Sequence, residues 1–145
     1  RAPAAMATID FSYCITAHIE TCVRIRIREL RIASGSVGVV RHAHAGEGVT
    51  ADLYLVQDGV PLHSLPIKTS VALLSGDGRA CWDRWYQFPV RYKDLSPTAA
   101  VGITIFDGEG ALLGGCTLPL FHRSLLLREG IQRARLWLRR AAGAR

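Results

Sequence analysis

The chain has 145 residues, 49% of them hydrophobic and 21% charged, which fits one globular domain with a single core and excludes a disordered chain. Its formal net charge of +6 comes from 18 Lys and Arg against 12 Asp and Glu, with the arginines scattered along the chain. No apolar run approaches the ~20 residues of a membrane-spanning helix, and no helix-turn-helix, zinc-finger or RNP-type aromatic motif points to a nucleic-acid partner.

Residues 1–10 are mostly small and read as a flexible lead-in. They lack the apolar stretch of a secretory signal, and the absence of Met at position 1 implies a piece of a longer polypeptide. From Phe11 to Thr21 the composition is β-rich. Val23-Arg24-Ile25-Arg26-Ile27-Arg28 then alternates strictly, so a strand should bury Val23, Ile25 and Ile27 and hold three arginines to water. Ala33 to Thr50 is Gly-rich and poor in helix formers, with no helical period. It contains His42 and His44, which have no Cys or carboxylate partner at ligand spacing and read as part of a solvated loop.

Asp52 to Gln57 is the next strand, and Asp58-Gly59 tolerates the positive φ of a tight hairpin turn. Leu62 to Leu74 gives one or two strands broken at Pro66, as at a sheet edge or bulge. Ser75 to Arg79 is a loop. The stretch from Trp82 to Phe121 then sets the grammar of the chain. Tyr86, Phe88 and Val90 share one face of a strand, Lys93 to Pro97 is a turn, and Val101 to Phe106 is apolar nearly throughout. Asp107-Gly108-Glu109-Gly110 breaks it, and Leu112 to Leu120 extends again. Gly114-Gly115 suggests a bulge or a close backbone approach. Arg123 to Arg140 fits either an amphipathic helix or a connection and a last strand. Strand, turn, strand, Gly-rich turn, strand predicts an antiparallel β-sandwich of about eight strands. The four cysteines form no C-x-x-C pair and read as reduced, mostly buried thiols.

The wording of these segments goes further. Trp82-x-x-Trp85, Phe88-Pro89-Val90-Arg91-Tyr92-Lys93-Asp94-Leu95, Thr104-Ile105-Phe106-Asp107 and Gly114-Gly115-Cys116-Thr117 followed by Leu120-Phe121 resemble the C2 domain of phosphatidylinositol 3-kinase catalytic subunits, closest to the class III type. Asp52-Leu53-Tyr54-Leu55, Gly59-Val60-Pro61-Leu62, Leu65-Pro66-Ile67-Lys68-Thr69, Leu127-Arg128-Glu129-Gly130 and Leu136-Trp137 fit the same pattern in order. The resemblance implies an all-β, eight-stranded antiparallel sandwich of C2 topology over residues 11–138, with a loose tail at 139–145. It also implies a connection and last strand, rather than a helix, near the C-terminus. In that motif Trp85 and Trp137 would be core anchors and Trp82 partly exposed. The segment 33–50 is shorter than the helical insertion relatives carry there.

Catalytic motifs are missing: there is no G-x-G-x-x-G loop, P-loop, H-R-D or D-F-G. The resemblance therefore implies a chain without catalysis or cofactor of its own. It would scaffold a kinase that makes phosphatidylinositol 3-phosphate, against the helical and kinase domains of the same polypeptide and regulatory pseudokinase-type and Beclin-type subunits. The place would be the cytoplasm, at endosomal or autophagic membranes. Asp52 and Asp107 stand at two calcium-ligand positions of calcium-dependent C2 domains. Calcium wants 6–8 oxygen ligands, so these carboxylates are too few for tight binding. Structural roles suit them better: pairing or capping for Asp52, an Asx-type turn for Asp107. A second reading is a calcium-independent membrane module in which Arg24, Arg26, Arg28, Lys68, Arg91 and Lys93 meet anionic headgroups. A third is an unrelated extracellular sandwich, which free thiols would argue against.

Overall fold

The computed structural model describes residues 5–11, 20–32 and 46–138, the first of these as backbone alone. Among them are eleven strands and one 3-10 turn, Tyr92–Asp94. Seven strands are long: β1 (Ala5–Phe11), β2 (Cys22–Ile32), β3 (Gly48–Gln57), β7 (Arg79–Arg91), β8 (Ala99–Phe106), β9 (Leu112–Pro119) and β10 (Gly130–Arg135). The other four have two residues each: β4 (Val60–Pro61), β5 (Ile67–Lys68), β6 (Ala72–Leu73) and β11 (Trp137–Leu138). One sheet has the order β10-β1-β2-β7. The other runs β11-β9-β8-β3, with β4, β5 and β6 pairing on β3. All pairings are antiparallel, so the sandwich expected from the alternation is present.

The core lies between the sheets. Val23, Ile25 and Ile27 of β2 are buried with Val49, Ala51, Leu53 and Leu55 of β3, as their period of two requires. Phe88 and Leu120 are fully enclosed. The register of β2 slips between Ile27 and Glu29, and Asp83 opposite adopts φ 49. This bulge keeps both Ile27 and Leu30 inside and turns Glu29 and Arg31 outward. Asp58 (φ 52) and Gly59 (φ 77) make the tight turn from β3 to β4.

The far edge of β3 is covered piecewise, which leaves little of it open to pairing with another chain. The side chain of Thr69 accepts the Ala51 N–H at 2.9 Å. His63 Nε2 accepts the Leu55 N–H at 2.9 Å, while Nδ1 lies 2.6 Å from the Leu65 carbonyl, so the ring donates through Nδ1 and accepts through Nε2. Tyr54 stacks on that imidazole. The break expected at Pro66 thus separates short edge pieces rather than two full strands.

Several expectations are corrected. Residues 5–10 of the expected lead-in form β1 together with Phe11, an inner strand between β10 and β2. The alternation of Ala7, Ile9 and Phe11 with Thr8 and Asp10 agrees with this strand, short as it is. Trp82, expected to be partly exposed, is 7% exposed and donates its indole N–H to the Ser70 carbonyl at 2.7 Å. Trp85 and Trp137, expected as core anchors, are 39% and 56% exposed. Trp85 has the opposite parity to Phe88 on β7, and Trp137 lies on the edge strand β11. The last strand is two, because the chain passes from one sheet to the other at buried Leu136. The segment 33–45 with His42 and His44, the tail 139–145 and Cys14 lie outside the described residues.

Candidate functional site

Outward-facing residues of the four-stranded sheet form one charged surface. Arg26 pairs in register with Trp85, Arg24 with Gln87, and Arg31 with Arg79. Directly opposed residues in an antiparallel pair point to the same face. The guanidinium carbons of Arg24 and Arg26 lie 5.5 and 6.0 Å from the centroid of the Trp85 ring, within cation–π range. Arg26 also reaches the Asp83 carboxylate at 2.9 Å.

Two like charges opposite one another, as Arg31 and Arg79 are, would repel. Glu29 resolves this, taking the Arg31 Nε on one oxygen and the Arg79 Nη2 on the other, each at 2.7 Å. The Arg79 hydrogen bond, with Arg31 adding to it, holds the Glu29 carboxyl below its ordinary range against the opposing effect of burial. The same contact raises Arg79. Beside this clamp is an open groove of about 500 Å³. Arg28, Arg31, Arg79 and Asp83 line its β2–β7 side, and Ile131 and Arg133 line its β10 side. Ile131 is 54% exposed. Among the described residues Arg28, Arg133 and Arg135 make no ion pair.

The six cationic residues singled out from the sequence are therefore not one site. Arg24, Arg26 and Arg28 share the outer face. Arg91 stands exposed at the end of β7, opposite Cys22. Lys93 pairs with Glu20 at 3.2 Å. Lys68 belongs to the other sheet, 3.7 Å from Asp52 on the edge of β3. Arg31, Arg79, Arg133 and the Glu29 clamp were not anticipated. The alternation of Arg133 and Arg135 on either side of Ala134, like that of Arg24 to Arg28, carried the signal.

The calcium candidates are occupied by structure. Asp52 faces Lys68. Asp107, 4% exposed, accepts the backbone N–H groups of Glu109 and Ala111 on Oδ1 at 2.9 and 2.8 Å, the Asx-type turn expected of it. Cys22, Cys81 and Cys116 are free thiols, and burial raises the pKa of Cys116 to about 11.

Residues 47–143 match the family model described as phosphoinositide 3-kinase C2. The chain is 29% identical over 146 residues to phosphatidylinositol 3-kinase VPS34 of Arabidopsis thaliana, covering 91% of this chain and 17% of that protein. It is 35% and 36% identical over 92 residues to the nodule and root isoforms of phosphatidylinositol 3-kinase of Glycine max, in each case over 61% of this chain and 11% of the relative. It thus spans less than a fifth of the length of these relatives.

Proposed function

The chain belongs to the phosphoinositide 3-kinase C2 family, and from that premise we propose that it is the non-catalytic, calcium-independent C2 domain of a class III-like phosphatidylinositol 3-kinase. In this reading it scaffolds the helical and kinase domains of the same polypeptide and the regulatory pseudokinase-type and Beclin-type subunits. The product of the assembly is phosphatidylinositol 3-phosphate on endosomal or autophagic membranes. Catalysis resides in the rest of that polypeptide.

The observation that carries the scaffold role is the turn after β9. His122 and Leu126 close it through a 2.7 Å backbone hydrogen bond, and Phe121 bridges to Leu127. Leu125 is held at φ 66, a conformation that costs a bulky residue about 1–3 kcal/mol. Leu125 and Leu126 nonetheless stand 65% and 66% exposed. A strained turn that presents two leucines to water fits a surface that another domain covers. Calcium independence is supported by Asp107, whose carboxylate already serves two turn amides.

Co-expression of the chain with the remaining domains of a class III phosphatidylinositol 3-kinase tests this. Capture of lipid kinase activity through the chain is expected, with loss of that capture in Leu126→Asp at an unchanged unfolding midpoint. Capture that ignores the substitution, or no capture by the native chain, would refute the scaffold role.

A further inference from the structure

Ala51 and Leu55 of β3 both aim their backbone groups at the outer edge of the sheet, and in both a side chain closes the N–H. Ala51 accepts the Thr69 N–H on its carbonyl at 2.9 Å and donates its own N–H to the Thr69 hydroxyl at 2.9 Å. Leu55 accepts the Leu62 N–H on its carbonyl at 2.8 Å and donates its own N–H to His63 Nε2 at 2.9 Å. The imidazole fills the gap between β4, which covers Val56 and Gln57, and β5, which covers Asp52 and Leu53. The two positions are alike in form and differ in chemistry. A hydroxyl accepts at any ordinary pH, an imidazole nitrogen only while it carries no proton.

We propose that His63 is an acid-released latch on the β3 edge, which holds the connection between β4 and β5 shut while the ring is neutral and frees it when the ring is protonated. Both ring roles are forced by the partners. The Leu65 carbonyl, 2.6 Å from Nδ1, can only accept, so Nδ1 carries the proton; the Leu55 N–H can only donate, so Nε2 carries none. A proton added at Nε2 sets two N–H donors face to face and leaves the Leu55 N–H without an acceptor. Histidine is the side chain that ordinarily changes charge between about pH 5 and pH 8. From β3 the ring meets Tyr54, stacked at 5.5 Å, and from β7 it meets Phe88, tilted at 5.6 Å. The charged groups of this edge are Asp52 and Lys68, which pair with each other, and Asp58 of the β3–β4 turn. Among the described residues no carboxylate is in ion-pair contact with the ring. Stacking on Tyr54 suits a cation too, but it does not return the acceptor that Leu55 loses.

Release changes the edge in two ways. Leu55 is left with an unpaired N–H on an edge strand, the kind of group that pairs with another strand. Phe88, fully enclosed in the core, loses the ring that lies against it. The device belongs to the sheet edge and goes beyond the scaffold role proposed above, on which it does not depend.

The test is residue-resolved hydrogen exchange of the chain between about pH 8 and pH 5. Protection of the Leu55 amide, corrected for the intrinsic pH dependence of exchange, should fall in acid by about tenfold per pH unit once the ring titrates, the slope for one proton. Protection of the Ala51 amide, held by a hydroxyl on the same edge, should not change. Nitrogen shifts of the ring should show the Nδ1–H form at the upper end of the range and the doubly protonated form as Leu55 opens. His63→Gln, whose amide does not titrate, should make exchange at Leu55 independent of pH. Loss at Ala51 in step with Leu55 would mean that the whole edge or domain unfolds, and a pH dependence that survives His63→Gln would assign it to another group, such as His122; either result overturns the latch. The native chain decides by itself if His63→Gln does not fold, because ring protonation that leaves Leu55 protected overturns it as well.

Discussion

Trp82 and Trp85 stand three positions apart on β7, and an odd spacing on a pleated strand puts side chains on opposite faces. Trp82 goes inward, where its indole finds the Ser70 carbonyl, and Trp85 goes outward between two arginines. Trp82→Ala should therefore destabilise the chain by about 3–5 kcal/mol, as deletion of a large core side chain does. Trp85→Ala should cost under ~1 kcal/mol, the range of an exposed cation–π contact. Urea unfolding of the two variants would contradict this if the order of their midpoints were reversed. Glu29 gives a second prediction. Its folded-state pKa lies below the ordinary value of 4.5. Its contribution is therefore complete above 4.5 and disappears as pH falls through the folded value. Glu29→Gln should be less stable than the native chain at neutral pH, with a gap that closes as pH drops below 4.5. A gap independent of pH would mean that the charge on Glu29 contributes nothing.

At the scale of elements, the long alternating strands were legible and the edges were not. Val23 to Arg28 announced β2 because every second residue is apolar and the face they bury is the core. The outward turn of Trp85 was also legible, since Tyr86, Phe88 and Val90 already fixed the inward set on the other parity. Motif likeness pulled it toward the core, against the pleat. β1 was legible in part: Ala7, Ile9 and Phe11 alternate with Thr8 and Asp10, but the run is short and follows small residues that read as a lead-in, and it is paired on both sides. The two-residue strands on β3 are too short to show a period. The candidate site was half legible for the same reason: alternation finds arginines on one strand, but no local pattern shows that Arg133 will share a groove with Arg28. Gly114-Gly115 was read correctly as a close approach. A Cβ on Gly114 would strike the Trp137 carbonyl, and one on Gly115 would stand 2.6 Å from the Ile103 carbonyl and 3.1 Å from the Trp137 ring. Gly114→Ala should cost about 1–3 kcal/mol as an overpacking change and free β11 from β9. Hydrogen exchange at Trp137 and Leu138 should then rise in that variant, and unaltered protection there would show that β11 does not depend on the glycine.

For the molecule as a whole, the two sheets differ in charge. The sheet holding β3, β8 and β9 shows on its described edge a balanced pair, Asp52 with Lys68, and carries the turn that presents Leu125 and Leu126. The sheet holding β1, β2, β7 and β10 concentrates arginines, and among its described side chains Glu29 and Asp83 pair with Arg26, Arg31 and Arg79 while Arg28, Arg133 and Arg135 make no ion pair, on a chain whose formal charge is already +6. Folding brings these guanidiniums together across β1, whereas the unfolded chain keeps Arg28 and Arg133 far apart. The repulsion is therefore a property of the folded state and should be relieved by screening. The native chain should gain stability as salt rises from low to moderate concentration. Arg28→Glu should raise stability at low salt by about 0.2–1 kcal/mol, the scale of exposed charge pairs, and flatten the salt dependence. Urea unfolding at two salt concentrations decides this. If Arg28→Glu were less stable than the native chain at low salt, the arginine would already be compensated within the fold. If it is more stable, the native arginine holds the domain below its attainable stability, and the repulsion lies in the folded state.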